Sequence, residues 1–572
     1  MNQSEISSFI WGTADLLRGS FKAHEYGDII LPFTVMRRLD IVLEPTKQEV
    51  LAAMQKSIPR TFRDKTLKDA AGQDFYNTSQ FTMRKLLEEA SDIRENIVEY
   101  VNGFSDDIVD VFEHFKIYDV IKDLDDADLL FLVVQRFCDP KAALGPDSVD
   151  NAAMGDIYEE LIRKFSEQSN ETAGEHFSPR DGLALAVELL IAGAGDDLTR
   201  PNPIVKVADP CAGTGGALSV FEDRVSEVNP KATVVTYAQE LNPQTYAICK
   251  SDTILKGQRA LNVHRGDTLI NDHMAGEYFG YQVSNPPYGV EWKKAKDAVT
   301  EEHRTLGYAG RFGAGLPRIS DGQLLFVQHM VAHMRKKEDG GGRIAVFLNG
   351  SPLFTGNAGS GESDIRRYLL EHDLVEAIVA MPNDFFFNTG IATYIWLLTN
   401  NKEDKRKGRV QLINANGIYS KMRKNLGSKR VEFSSEQIQQ IVQTYLAFDE
   451  SDICKIFDTE DFGYTTVTVE RPLLDDGGNV VTDKKGKPKP DSKLKDTENV
   501  PLKEDIDAYF EREVKPYASD AWMDRKKDKI GYEIPFTRYF YQYTPLRPSE
   551  EILKEIRELE ASIAEKLKKA QG

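Results

Sequence analysis

Nowhere in the 572-residue chain does an apolar run approach the ~18–20 residues that cross a bilayer, and mean hydropathy is −0.42. No membrane-spanning helix is expected. Cysteine is scarce: Cys138, Cys211, Cys249 and Cys454 lie far apart and form no CxxC pair. Neither a disulfide framework nor a metal site is expected, and a reducing cytoplasm suits this usage. Positive charge is in deficit, with 72 Lys and Arg against 91 Asp and Glu, a net charge of −19 and a pI near 5.1. Such a chain does not grip a polyanion over its whole surface. It leaves room for a local basic groove, or for a partner that supplies phosphate contacts. The opening residues "MNQSEISSFIWG" have no basic n-region and do not read as a signal peptide. No internal repeat is read.

The length exceeds what one core supports and implies two or three domains. Residues 1–165 read as a helical N-terminal domain. "SFIWGTADLLRGS" places Phe9, Ile10, Thr13, Leu16 and Leu17 near helical spacing, and "SQFTMRKLLEEASDIRENIVEYVNGF" repeats the pattern. Residues 166–465 alternate short apolar runs, such as "PIVKVADP", "ATVVTYAQELN", "FGYQVSNPP" and "GRIAVFLNG", with amphipathic segments such as "GALSVFEDRVSEV" and "PQTYAICKSDTILKG". That is the grammar of an α/β, doubly wound, mostly parallel sheet. Residues 466–545 read as linker or insertion and extension, with 467–500 either a linker or a long hairpin excursion. Residues 546–572 read as a C-terminal helix with Ser549 as N-cap. Its stripe of Ile552, Ile556, Leu559, Ile563 and Leu567 fits packing on its own domain or on a partner subunit.

The polar clusters fall where apolar runs end, the position at which such sheets bind ligands. "VKVADPCAGTGG" closes a strand at Asp209. It then opens a glycine-rich turn through Ala212, Gly213, Thr214, Gly215 and Gly216, where a backbone without side chains comes close to a ligand. Neither the P-loop nor the GxGxxG spacing matches. Glu240 ends the next strand and can accept both hydroxyls of a ribose. Asp267, in "HRGDTL", ends a third and can accept from an exocyclic adenine amine. "VSNPPYGV" ends a fourth. Pro286 and Pro287 make a stiff corner that fixes the Asn285 amide oxygen and the Pro286 carbonyl as two acceptors, with the Tyr288 ring as a stacking face. Two acceptors and a flat face suit one planar aromatic amine.

The tetrapeptide Asn285-Pro286-Pro287-Tyr288 resembles the signature of the amino-methyltransferases that act on adenine N6 in DNA. Upstream, "AGEHFSPR" resembles the segment that covers the methionine end of the cofactor in gamma-ordered members. "IWGTADLLRGSFKAHEYGDIILPFTVMRRLD", "SDGQLLFVQHMVAHM" and "DTENVPLKEDIDAYF" extend the likeness over nearly the whole chain, to the modification subunit of Type I restriction-modification systems. His176 and Ser178 depart from the Tyr or Phe and the Thr common there, and Cys211 stands where a small residue is common.

The resemblance implies a Rossmann-like S-adenosyl-L-methionine-dependent methyltransferase domain with a helical N-terminal domain and a C-terminal helical tail. It implies methyl transfer to N6 of an adenine flipped out of double-stranded DNA, without a metal. Asn285 and the Pro286 carbonyl would hold N6, and Tyr288 would stack on the base. Glu240 would bind the ribose and Asp267 the adenine amine of the cofactor. Glu175, His176, Phe177, Ser178, Pro179 and Arg180 would contact its methionine end. Implied partners are a specificity subunit, with two modification subunits for each, and a restriction subunit. The loop Asn349–Arg367 is expected near DNA or the target base. Trp292 with Lys293, Lys294 and Lys296 is expected in a phosphate-facing loop. Two rival readings are a methylase of protein glutamine or RNA adenine, and an idle scaffold for a DNA reader.

Overall fold

The computed structural model of the chain describes residues 3–56, 59–168, 178–258, 260–387, 390–426, 428–541 and 548–571. They divide into two units, Met1–Ile534 and Pro535–Gly572.

Helices occupy the first unit from Gln3 to Gln168. The most enclosed, Tyr26–Leu43, buries residues on all sides, including Arg37, Arg38 and Asp40. Arg38 donates to the Val149 carbonyl and the Asn151 amide oxygen, both at 2.9 Å, and the other two are paired. Arg37 meets Asp40 at 2.8 Å, and the Asp40 carboxylate also accepts from the Tyr100 hydroxyl at 2.9 Å and the Met83 amide at 3.1 Å. The last contact explains a departure from the sequence reading. Residues 79–92 form turns and two short 3₁₀ segments, and the helix begins at Ile93. Ser79 and Phe81 amides bond to the Asn77 and Ser79 side chains, offering the backbone an alternative to helix. The core of these helices continues into Ala247, Ile248, Ile254 and Leu255 of helix Pro243–Leu255.

The central sheet has nine strands: β1 (Ile204–Asp209), β2 (Thr233–Glu240), β3 (Val263–Arg265), β4 (Tyr281–Ser284), β5 (Arg343–Asn349), β6 (Val375–Ala380), β7 (Thr393–Thr399), β8 (Arg409–Asn414) and, after the hairpin of β9 (Ser420–Leu426) and β10 (Lys429–Glu432), β11 (Cys454–Asp458). The spatial order is β11-β8-β6-β7-β5-β4-β1-β2-β3. β7 runs antiparallel to both β5 and β6, and β11 antiparallel to β8; the remaining neighbours are parallel. Ala345 and Phe347 of β5 join a core with Leu189 and Phe221 of helices Arg180–Ala192 and Gly216–Val228. Ile344, Val346 and Leu348, which point the other way, are buried too. Both faces are covered, as a parallel sheet requires. The chain winds outward through β2 and β3 and returns to β4 beside β1. The β1–β4 boundary is therefore the topological switch point.

An ion cluster ties the sheet to its helical layer. Arg343 donates to Glu376 at 2.8 Å, to Tyr445 at 2.9 Å and to the Leu190 carbonyl at 3.0 Å. Burial alone would raise the Glu376 carboxyl, but Arg343 and Arg406 outweigh it and hold it below its ordinary value. Arg343→Ala leaves that buried carboxylate without its main partner. It is expected to cost about 3–5 kcal/mol, read as a lowered denaturant midpoint.

The 467–500 stretch runs from within β12 (Gly463–Glu470) into β13 (Asp496–Pro501), which pair antiparallel, so it is a hairpin excursion. It also holds a repeat that the sequence reading missed. Asp475, Asp483 and Asp491, eight residues apart, each accept a backbone amide two residues on, from Gly477, Lys485 and Lys493. Three extended segments close on one another through Leu473 N–H to Lys489 O, Lys489 N–H to Val481 O and Val481 N–H to Leu473 O, all 2.8 Å.

In the second unit, helix Ser549–Gln571 contains Ser549 rather than being capped by it. The Pro548 carbonyl accepts from the Glu551 and Ile552 amides instead. Ile552, Ile556, Leu559 and Ile563 are exposed; the Leu567 side chain lies outside the described ones. Among the described residues no helix is long and apolar enough to cross a membrane.

Candidate active site

The carboxyl ends of β1, β2, β3 and β4 open into one cavity of about 1250 Å³. β1 ends at Asp209, which is buried. Its carboxylate accepts from the Ser284 hydroxyl at 2.6 Å and the Cys211 amide at 3.0 Å. Pro210 to Gly216 then turn into helix Gly216–Val228. Gly213 and Gly215 have φ of +56° and +86°, and a Cβ on Gly215 would lie 2.9 Å from the Cys249 sulfur. Both facts explain why this turn is glycine-rich.

β2 ends at Glu240, whose two oxygens accept from the Gly213 amide at 2.8 Å and the Asn242 amide at 2.7 Å. Glu240 thus braces the glycine loop from the neighbouring strand. Asn242 caps helix Pro243–Leu255. Asp267 follows β3 and accepts from the Leu269 amide at 2.9 Å.

β4 ends at the Pro-Pro corner. The Asn285 amide nitrogen donates to the Ser178 hydroxyl at 2.8 Å, which fixes the side-chain orientation. Its amide oxygen accepts from the Tyr288 hydroxyl at 2.5 Å. The Tyr288 ring meets Phe386 edge-on at 6.1 Å.

Of the expected residues, Ser178, Arg180, Asp209, Ala212, Gly213, Thr214, Gly216, Glu240, Asp267, Asn285, Pro286, Pro287 and Tyr288 line this cavity. Pro179 and Gly215 are not among its lining. Pro179 precedes helix Arg180–Ala192, and Gly215 precedes helix Gly216–Val228. Glu175, His176 and Phe177 lie outside the described residues. Trp292 departs from the phosphate-facing expectation. It is buried with Val299, Phe312 and Leu325, and its indole donates to the Arg318 carbonyl at 2.9 Å, while Lys293, Lys294 and Lys296 are exposed. The loop Asn349–Arg367 is braced by buried Arg366, which donates to the carbonyls of Pro352, Thr355, Gly356 and Tyr532.

Two walls of the cavity escaped the sequence reading. Phe386, Phe387 and Ile391 come from the segment after β6, where three consecutive phenylalanines at a strand end were the available signal. Asp156, Glu159 and Glu160 come from helix Asn151–Gln168. Glu159 pairs with Arg180, which also reaches Asp223 at 3.3 Å.

The lining is rich in acids, which suits a ligand that carries positive charge. Burial, with the Glu240 charge adding to it, pushes the Asp209 carboxyl up to about 7 against the two hydrogen bonds it accepts. Ionised Asp209 is therefore poorly solvated until a cation joins it. The cofactor-free fold loses stability as pH rises from the ordinary carboxylate value of 3.8 through about 7. A cationic ligand reverses the sign, since it favours the ionised form. Affinity for such a ligand is expected to weaken by up to about tenfold per pH unit below 7, with proton release on binding. Calorimetry in buffers of different ionisation enthalpy reads this linkage, which Asp209→Asn should abolish.

Comparison with known proteins gives concordant results. The family model described as N-6 DNA Methylase matches residues 149–467, more than half of the chain, and that of the HsdM N-terminal domain matches residues 6–137. The chain is 24% identical over 470 residues to the Type I restriction enzyme MjaIX methylase subunit of Methanocaldococcus jannaschii, covering 78% of each. It is 24% identical over 468 residues to the EcoKI methylase subunit of Escherichia coli, covering 78% of this chain and 77% of that one. In fold it resembles the type I restriction-modification methyltransferase subunit of Streptococcus thermophilus, with a TM-score of 0.63, 22% identity, and coverage of 81% of this chain and 97% of that one. The chain belongs to the N-6 DNA methylase family, in the form carried by Type I modification subunits.

Proposed function

We propose that this chain transfers a methyl group from S-adenosyl-L-methionine to N6 of an adenine flipped out of double-stranded DNA, as the modification subunit of a Type I complex. One observation carries the reading: the Asn285-to-Tyr288 corner and the Asp209-to-Gly216 loop share one acid-lined cavity at the switch point of the sheet. The residues present fit the cofactor. Gly213 and Glu240 offer a close backbone and an acceptor for a ribose, Asp267 an acceptor for an amine, and Asp209 a counter-charge. When bound there, the cofactor supplies an electrophilic methyl group on a positively charged sulfur.

The chain's own residues do the rest. Asn285 presents its amide oxygen, with the Pro286 carbonyl, to the two N6 protons, which localises the nitrogen lone pair toward the methyl donor. N6 would gain the methyl as the methyl–sulfur bond breaks to leave a neutral thioether, and would then release one of those protons to solvent. Ser178 holds the Asn285 amide nitrogen, which fixes the opposite, oxygen end of the amide as the acceptor for the base. The Tyr288 hydroxyl occupies that oxygen in the structure described. An incoming adenine replaces it, and the ring becomes the stacking face. Phe386 backs that ring and excludes water. The rate gain then comes from positioning and fixed dipoles rather than a covalent intermediate.

A chain with a net charge of −19 that acts on DNA needs help to find its site. A specificity subunit bound by two copies of this chain, joined by a restriction subunit, supplies it in the cytoplasm. The similarity in fold to a chain of a type I system studied for its complex assembly, with a TM-score of 0.51, supports action with partner subunits. The test is methyl transfer from labelled S-adenosyl-L-methionine to genomic DNA, by the chain alone and with the specificity subunit. Activity with the partner only is expected. Activity on DNA without any partner contradicts the Type I assignment, and none in either case contradicts the enzyme.

A further inference from the structure

On an acidic chain, any surface that meets a phosphate backbone has to be a local one, and hairpin β9–β10 has the required features. Lys421 and Arg423, two apart on β9 and hence on one side of the strand, are exposed, as is Arg430 on β10. One exposed acid, Glu432, lies two residues beyond Arg430 on the same side of β10 and stands opposite Ser420. Another cation, Lys429, is committed elsewhere. It is buried, bonds both Asp181 oxygens at 3.0 and 3.1 Å, and lies 3.7 Å from the centre of the Phe385 ring.

That commitment places the hairpin. Asp181 follows Arg180, a lining residue of the cavity, and also accepts the Phe433 amide at 2.9 Å. The Ser428 amide donates to the Phe387 carbonyl at 2.8 Å and the Arg430 amide to the Asp384 carbonyl at 2.9 Å. Phe386 and Phe387 are the aromatic wall beside Tyr288. The turn and strand β10, from Ser428 to Phe433, are thus bonded to segments that wall the cavity, while the Lys421, Arg423 and Arg430 side chains are exposed. Strand lysines often serve only to discourage edge-to-edge pairing. Here Lys421 is joined by two arginines, on a hairpin whose turn is bonded to Phe387, a residue that lines the cavity.

We propose that hairpin β9–β10 is a backbone clamp, in which Lys421, Arg423 and Arg430 bind phosphates of the DNA strand next to the flipped adenine. This rests on the proposed function and adds a residue-level DNA contact to it. Contacts of this kind hold DNA in register and carry no sequence information. They also give affinity that decays with salt, by about 0.9 in log–log slope for each phosphate neutralised.

The test uses the full chain with its specificity subunit and compares wild type, the triple variant Lys421→Ala/Arg423→Ala/Arg430→Ala, and a control triple, Lys484→Ala/Lys485→Ala/Lys487→Ala, in the repeat turn. The clamp predicts that the first variant weakens duplex binding about 10- to 100-fold at moderate salt, alike on cognate and unrelated DNA. The salt slope should fall by about 2 to 3, with cofactor affinity and kcat at saturating DNA retained. The control should match wild type. An unchanged slope in the first variant, or equal losses in both, overturns the clamp. Wild-type methylation in the same assay keeps the two ideas apart. If it is present while the first variant behaves as wild type, only the clamp fails. If wild type neither binds nor methylates DNA, the proposed function fails and the clamp with it.

Discussion

Asn285→Ala is expected to lower kcat for methyl transfer by about 10³-fold while leaving the affinity for S-adenosyl-L-methionine within about twofold. The substitution removes an acceptor that matters only once the base is in place. The cofactor contacts come from other strand ends. It also frees the Tyr288 hydroxyl and the Ser178 hydroxyl, both now bonded to the Asn285 amide at 2.5 and 2.8 Å. Asn285→Asp separates the two functions of that side chain. It keeps an acceptor for N6, and its second oxygen can accept from Ser178. It should therefore retain activity within about tenfold of wild type, a modest loss for one altered hydrogen bond. Steady-state methylation and cofactor titration of both variants read the split. An alanine variant with near wild-type kcat would remove Asn285 from the chemistry.

Glu240→Ala is expected to have the opposite signature, with cofactor Kd rising about 100-fold and kcat at saturation nearly unchanged. An ionised carboxylate has about four acceptor positions. The Gly213 and Asn242 amides take two of them, and a ribose offers two hydroxyl donors to the same carboxylate. Each hydrogen bond to a charged group contributes about 1.5–3 kcal/mol, so losing two costs at least about 3 kcal/mol, and the stated factor is the lower end at about 1.4 kcal/mol per tenfold. The same change loosens the glycine loop. Glu240→Gln, which keeps one oxygen, should therefore fall between the two. Loss of kcat with intact cofactor binding would place Glu240 with the methylated base rather than with the cofactor.

The site was legible in the sequence where geometry is local. Two successive prolines after an apolar run dictate a corner whatever surrounds it, and Asn285 is found at the end of β4. The glycine turn after Asp209 and the acid at Glu240 are legible for the same reason, as each stands at the end of an apolar strand. Contributions that depend on chain return were not legible. Phe386 reaches Tyr288 because β6 and β7 come back to the sheet about a hundred residues later, and no spacing announces that. Glu159 meets Arg180 across the segment that joins the helical region to the sheet. The position of Trp292 beside three lysines suggested a nucleic-acid surface, but an indole can fill a core as well as stack on a base. Packing against Phe312 and Leu325 decided it. The octapeptide repeat was hidden because little but its turn residues recurs. Asp475, Asp483 and Asp491 recur, as do Gly478 and Gly486, yet Leu494 stands in the third glycine position.

The most direct test of the account is the identity of the modified base. DNA methylated by the chain with its specificity subunit, using labelled S-adenosyl-L-methionine, would be digested to nucleosides and separated. Label is expected in N6-methyldeoxyadenosine alone. Label in N4-methyldeoxycytidine would contradict it, since the same corner would then hold a cytosine amine. So would label at a ring carbon, where Asn285 and the Pro286 carbonyl have no amine to hold.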